Sequence, residues 1–198
     1  KKGMFKNLSF NVEPNQKIVF LSSNSLVLTT LFNIIMGKEE ADSGTVQFGK
    51  TIKPSYLPQD NREYFEGCHL SVVDWLRQYS KDKTESYVRG WLGRMLFSGE
   101  ESLKEVSVLS GGEKVRCMLA KLMLESGNLL VLDEPVNHLD LESITSLNKG
   151  LINFKGPILF TTGDQEIIDT VANRIIDIVD ENTIIDKEMS YEEYMSTK

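Results

Sequence analysis

Two carboxylates stand side by side in Leu129-Leu130-Val131-Leu132-Asp133-Glu134-Pro135. The four apolar residues ahead of them read as a buried strand, and in an open parallel sheet ligands collect at the C-terminal ends of the strands. An Asp there could hold Mg²⁺ directly or through water, and the next Glu could orient or deprotonate an attacking water. The other reading is two solvated acids at a strand end, and the dipeptide alone does not choose between them. A second stretch with chemical potential is Leu109-Ser110-Gly111-Gly112-Glu113. Ser110 and Glu113 predict a capping box that opens a helix carrying Val115, Met118, Leu119 and Leu122. Gly111 and Gly112 cost stability in a first helical turn yet let a ligand approach bare backbone amides, which favours an anion site there.

The elements that must position these residues follow from the apolar pattern. Phe5 to Val12 alternates in part, as a half-exposed strand does, and Ile18-Val19-Phe20-Leu21 reads as a buried strand. A loop of small residues, Ser22 to Ser25, leads to a helix predicted over Leu28 to Met36 and stopped by Gly37. Short strands are expected at Thr45 to Phe48 and Ser55 to Leu57, and further strands at Ile158 to Thr162, Arg174 to Val179 and Thr183 to Ile185. Buried strands alternating with helices imply a mostly parallel α/β sheet covered on both faces. Between Ser71 and Val108 the pattern is helical: Ser71 with Asp74 fits a capping box, and Val88, Trp91, Leu92, Met95 and Leu96 form an apolar stripe read as core. The expected organisation is an α/β core over 1–66 and 109–198, with a helical subdomain inserted at 67–108.

The 198 residues are 40% hydrophobic and 26% charged, which excludes a disordered or collagen-like chain. The net charge of −7 argues against non-specific nucleic-acid binding, which needs many basic side chains. No apolar run approaches the roughly 20 residues that span a bilayer, and Lys1 to Met4 lacks a leader's apolar segment. Cys68 and Cys117 have no metal-site spacing. A cytoplasmic protein is expected.

The two motifs, in this order, resemble the ATP-binding cassette family of P-loop NTPases. Leu109 to Arg116 matches its signature, with Ser110, Gly111, Gly112 and Glu113 as the residues that would face a partner's ATP. Val131 to Pro135 is similar to its Walker B strand, Asn137-His138-Leu139-Asp140 to its D-loop, and Tyr56 to Asp60 to its Q-loop. The wording from Glu134 to Ser143, with Val73 to Arg77 and Leu92 to Ser98, narrows the resemblance to the second cassette domain of the F subfamily. The resemblance implies Mg²⁺ and ATP as cofactors, with Thr29, Gln59 and Asp133 toward the metal and Glu134 as the catalytic acid. It also implies a second cassette domain as partner, in the same chain or in a homodimer, no membrane domain, and a ribosome-associated parent acting in translation or antibiotic resistance.

The sequence departs from the family where phosphate would be held. The stretch in the position of its phosphate-binding loop is Ser22-Ser23-Asn24-Ser25-Leu26-Val27-Leu28-Thr29-Thr30. Ser22, Ser25 and Val27 replace the three glycines, and Leu28 replaces the lysine that reaches the β and γ phosphates. The switch histidine is replaced by Gly163. The resulting expectation is a domain that binds nucleotide as half of a pair, lends its signature to the partner's ATP and hydrolyses weakly at its own degenerate site. Two other readings stand: a fully active ATPase despite the altered loop, and a nucleotide-free interaction module.

Overall fold

The structure, a computed structural model, describes residues 3–198, and the chain divides into two compact units. The first comprises residues up to Gln59 with Asn128–Pro135 and Asn148–Lys198. It is built on a six-stranded sheet of β1 (Lys17–Ser22), β2 (Pro54–Leu57), β3 (Leu129–Asp133), β4 (Ile158–Thr161), β5 (Arg174–Ile178) and β6 (Ile184–Lys187). The spatial order is β2-β3-β4-β1-β5-β6, and every pairing is parallel except β5 with β6. β3, β4 and β5 are buried along their whole length, which is why they read as unbroken apolar runs. Helix α1 (Ser25–Ile35) lays Val27, Leu28, Leu31, Phe32 and Ile35 into a core with Ile18, Phe20, Val131, Leu159 and Ile176.

The second unit comprises Asp60–Gly127 and Val136–Leu147. It holds α2 (Val72–Arg77), α3 (Glu85–Arg94) and α4 (Gly111–Glu125), which pack on one another. Phe65 and Trp75 stack at 5.0 Å between centroids, both buried. This unit is wider than the stretch 67–108 set apart by its helical pattern. Helix α5 (Leu141–Asn153) begins in the second unit and ends in the first, where α6 (Gln165–Val171) and α7 (Tyr191–Ser196) complete the chain's helices.

Several expected elements differ. Phe5 to Val12 forms no strand; its alternation is satisfied by packing, with Phe10 edge-on to Phe20 at 5.6 Å and Phe5 and Leu8 against the core. Thr45 to Phe48 is likewise irregular, with Val46 and Phe48 exposed. In the α3 stripe, Val88, Leu92 and Met95 are buried, but Trp91 is half-buried and Leu96 exposed. Leu96 has left the helix, with φ at 64°. Ser71 accepts a hydrogen bond from Asp74 N–H, while the Asp74 carboxylate pairs with Arg77 instead of closing the box. α1 starts three residues earlier than the periodicity alone suggests.

Candidate functional site

The acidic pair sits where β3 ends. Asp133 is only 2% exposed, and Thr29, in the second turn of α1, donates from Oγ1 to Asp133 Oδ2 at 2.8 Å. The same hydroxyl lies 3.3 Å from Gln59 Oε1. Burial raises the Asp133 carboxyl to a pKa of about 6, the Thr29 hydrogen bond opposing and the Glu134 charge adding to the rise. Glu134 leaves the strand in the left-handed region at φ 51°. For a residue with a Cβ that conformation costs about 1–2 kcal/mol and persists only where neighbours hold it. Here Glu134 N–H donates to Thr161 O at 3.0 Å, and Gly163 N–H donates to Glu134 Oε2 at 3.3 Å. Burial pushes the Glu134 carboxyl up, and the Gly163 bond pulls it back. A Cβ at Gly163 would meet nothing within 4 Å.

Thr29, Gln59 and Asp133 thus converge as an all-oxygen donor set suited to a hard divalent cation. Among the described residues no group of three or more His, Cys, Asp and Glu could hold a metal. A cation here would therefore rest on one carboxylate and neutral oxygens, as Mg²⁺ does when several waters complete its shell. The donor set fits Mg²⁺.

The stretch before Thr29 is a capped helix start with two core side chains. Ser25 through Thr30 lie in α1, and only Ser22 to Asn24 precede it. Asn24 is the N-cap: its Oδ1 accepts from Leu26 N–H at 3.1 Å and its carbonyl from Val27 N–H at 3.0 Å. Asn24 N–H in turn donates to Ser22 Oγ at 3.3 Å. Val27 and Leu28 are 6% and 3% exposed and belong to the core. A phosphate cradle needs successive amides facing outward and, at the lysine position, a cation; here the Leu26 and Val27 amides bond to Asn24, and Leu28 is buried in the core.

In the second unit, Ser110 caps α4 with a complete capping box: its Oγ accepts from Glu113 N–H at 3.2 Å, and Glu113 Oε2 accepts from Ser110 N–H at 2.8 Å. Glu113 also pairs with Lys104 at 3.1 Å, and its carboxyl is held below the usual range chiefly by the Ser110 backbone bond. Ser110 and Gly111 are exposed. The glycines have a packing reason that spacing could not reveal. A Cβ on Gly112 would collide with the His138 carbonyl oxygen, and one on Gly111 would lie 3.3 Å from the His138 ring. His138 makes this approach in the left-handed conformation at φ 64°, within a turn closed by Leu139 N–H on Val136 O at 3.1 Å. Asn137 and His138 are exposed, and Asp140 accepts from Ser143 N–H at 2.8 Å at the start of α5. His69 is exposed and meets Glu105 at 2.7 Å.

A mostly parallel sheet with an acidic strand end and a capped glycine helix defines the class, and the whole-chain comparison agrees. The chain belongs to the ABC transporter family, whose sequence profile matches residues 5–137. It is 60% identical over 190 residues to the uncharacterized ABC transporter ATP-binding protein YkpA of Bacillus subtilis, covering 96% of this chain and 35% of that protein. It is 34% identical over 197 residues to the energy-dependent translational throttle protein EttA of Escherichia coli, covering 98% of this chain and 36% of that protein. The chain therefore spans about a third of the length of these relatives. Among solved structures, a dimeric ATP-binding cassette in a post-hydrolysis state with ADP and Pi superposes at a TM-score of 0.77 and 14% identity, covering 94% of this chain and 90% of that one. This last likeness establishes the fold. No helix among the described residues is long and apolar enough to cross a membrane.

Proposed function

We propose that this chain is the second cassette domain of an F-subfamily-type ATPase, closing head to tail on a companion cassette and lending Ser110, Gly111 and Gly112 to the ATP that the companion holds. The observation that carries this is the signature itself: an intact Ser110-Gly111-Gly112-Glu113 start to a fifteen-residue helix, fully capped and exposed at its tip. The solved neighbours described as dimeric cassettes support pairing. The likeness to EttA, whose name describes a translational throttle, supports a cytoplasmic, ribosome-associated parent.

Within the chain, Thr29, Gln59 and Asp133 are the residues that would hold Mg²⁺, which when bound would polarise water coordinated to it. Glu134, fixed by the Thr161 and Gly163 backbone, is placed to accept a hydrogen bond from water at the strand end. Asn137 to Asp140 shape the companion-facing turn beside the signature.

The test is Gly111→Asp in the complex with the companion cassette. The new Cβ asks only a few tenths of an ångström of the exposed His138 ring, so the fold should survive. The added carboxylate would repel phosphate. Losing one or two charged hydrogen bonds at about 1.5–3 kcal/mol each predicts a fall in ATP turnover of at least tenfold. Unchanged turnover, with the domain's melting temperature preserved, would refute signature donation.

A further inference from the structure

The first turn of α1 occupies the place where a triphosphate would have to be cradled if this chain held one itself. Three of its backbone donors are engaged: Asn24 N–H with Ser22 Oγ, Leu26 N–H with the Asn24 side chain, and Val27 N–H with the Asn24 carbonyl. The backbone is helical from Ser25 onward. The two residues whose counterparts should be a glycine and a lysine, Val27 and Leu28, have become core, packed with Leu31, Phe32, Ile18 and Phe20. Even the Thr29 hydroxyl is engaged, on Asp133.

We propose that this turn is a permanent plug: Asn24 caps it, Val27 and Leu28 anchor it, and the chain's own phosphate position accepts no nucleoside triphosphate. A pair formed with a companion cassette then carries one nucleotide rather than two. Only that last consequence rests on the signature reading above; the plug stands on α1 alone. The turn is closed by the sequence of the chain and not by a reversible contact, because opening it would bring two buried apolar side chains into water and strip the helix of its cap.

The experiment is a resonance-resolved titration of the full chain with Mg-ATP to about 10 mM, beyond the range of any physiologically useful affinity. Helical Cα shifts at Ser25 to Leu28, with amides at Leu26 to Thr29 unmoved throughout, are expected. Saturable movement of those amides with a sub-millimolar midpoint would overturn the plug. A fourfold variant, Ser22→Gly, Ser25→Gly, Val27→Gly and Leu28→Lys, should lose the helical shifts at 25–28 and bind Mg-ATP at least tenfold more tightly. Helical shifts unchanged in that variant would overturn the assignment of Val27 and Leu28 as anchors. The wild-type titration decides the matter should the variant not fold. Failure here is separable from failure of signature donation: Gly111→Asp reads the companion's turnover, whereas this titration reads α1.

Discussion

Two helices of this protein start in comparable ways and send their first-turn side chains to different places. α1 begins after Asn24 and α4 after Ser110, each with a side-chain oxygen on a first-turn amide. At α1 the next residues are Ser25, Leu26, Val27 and Leu28, and two of them are buried. At α4 they are Gly111 and Gly112, exposed or half-exposed, with the backbone of His138 drawn close to them. A capped helix start therefore does not define an anion site. What distinguishes the two is where the first-turn side chains go: into the core, which fixes the turn as a packing element, or nowhere, which leaves backbone for a neighbour to approach.

The strongest way to break this contrast is Leu28→Lys. If Leu28 is an anchor, an ammonium placed there meets only apolar neighbours, and stability should fall by about 3 kcal/mol or more. In a chain of this size that lowers the melting temperature by roughly 6–12 °C. A wild-type melting temperature would mean that the lysine reaches solvent and the turn is not anchored. At the other helix the sensitive position is the backbone contact. Gly112→Ala should cost about 2 kcal/mol, because the His138 carbonyl is main chain and cannot swing aside. Gly163→Ala, with open space around its Cβ, should stay within about 0.5 kcal/mol. Equal effects of the two alanines in chemical denaturation would remove the packing reason given for Gly112.

Smaller effects sharpen the comparison. Asn24→Ala and Ser110→Ala each remove one cap and should each cost about 1 kcal/mol. The two starts differ in charge, however: α1 has no acid in its first turn, and α4 has Glu113. The folded Glu113 carboxyl lies below its unfolded value, so its contribution is present above about pH 4.5 and is lost as pH falls through the folded pKa. The stability gap between wild type and Glu113→Gln should therefore shrink on acidification below about pH 4.5, while the gap for Asn24→Ala stays level. Urea unfolding across that range reads both, and parallel curves would show that the Glu113 half of the capping box contributes nothing.

Much of this was legible in residue order. The apolar runs 18–20, 129–132 and 158–160 lie in strands because they are buried on both faces and carry no alternation to misread. Ser110 with Glu113 announced the start of α4, and the carboxylates at 133 and 134 announced the strand end. Less legible were elements whose form depends on a partner. Phe5 to Val12 alternates as a strand would, yet packs as irregular chain because ring contacts, not a ladder, satisfy it.

The sequence by itself determined which side chains stand at 22–30, at 110–113 and at 163, among them Val27 and Leu28 in the first stretch, Gly111 and Gly112 in the second, and Gly163. Only the tertiary structure decided what replaced the loop. Whether Ser25 to Leu28 would be a disordered loop, a wider turn or a helix depended on whether Val27 and Leu28 had an apolar surface to meet. Residues distant in sequence, among them Val131, Leu159 and Ile176, provide it. The left-handed turn of Glu134 and the approach of the His138 carbonyl to Gly112 were decided in the same way, by long-range contacts that local patterns do not encode.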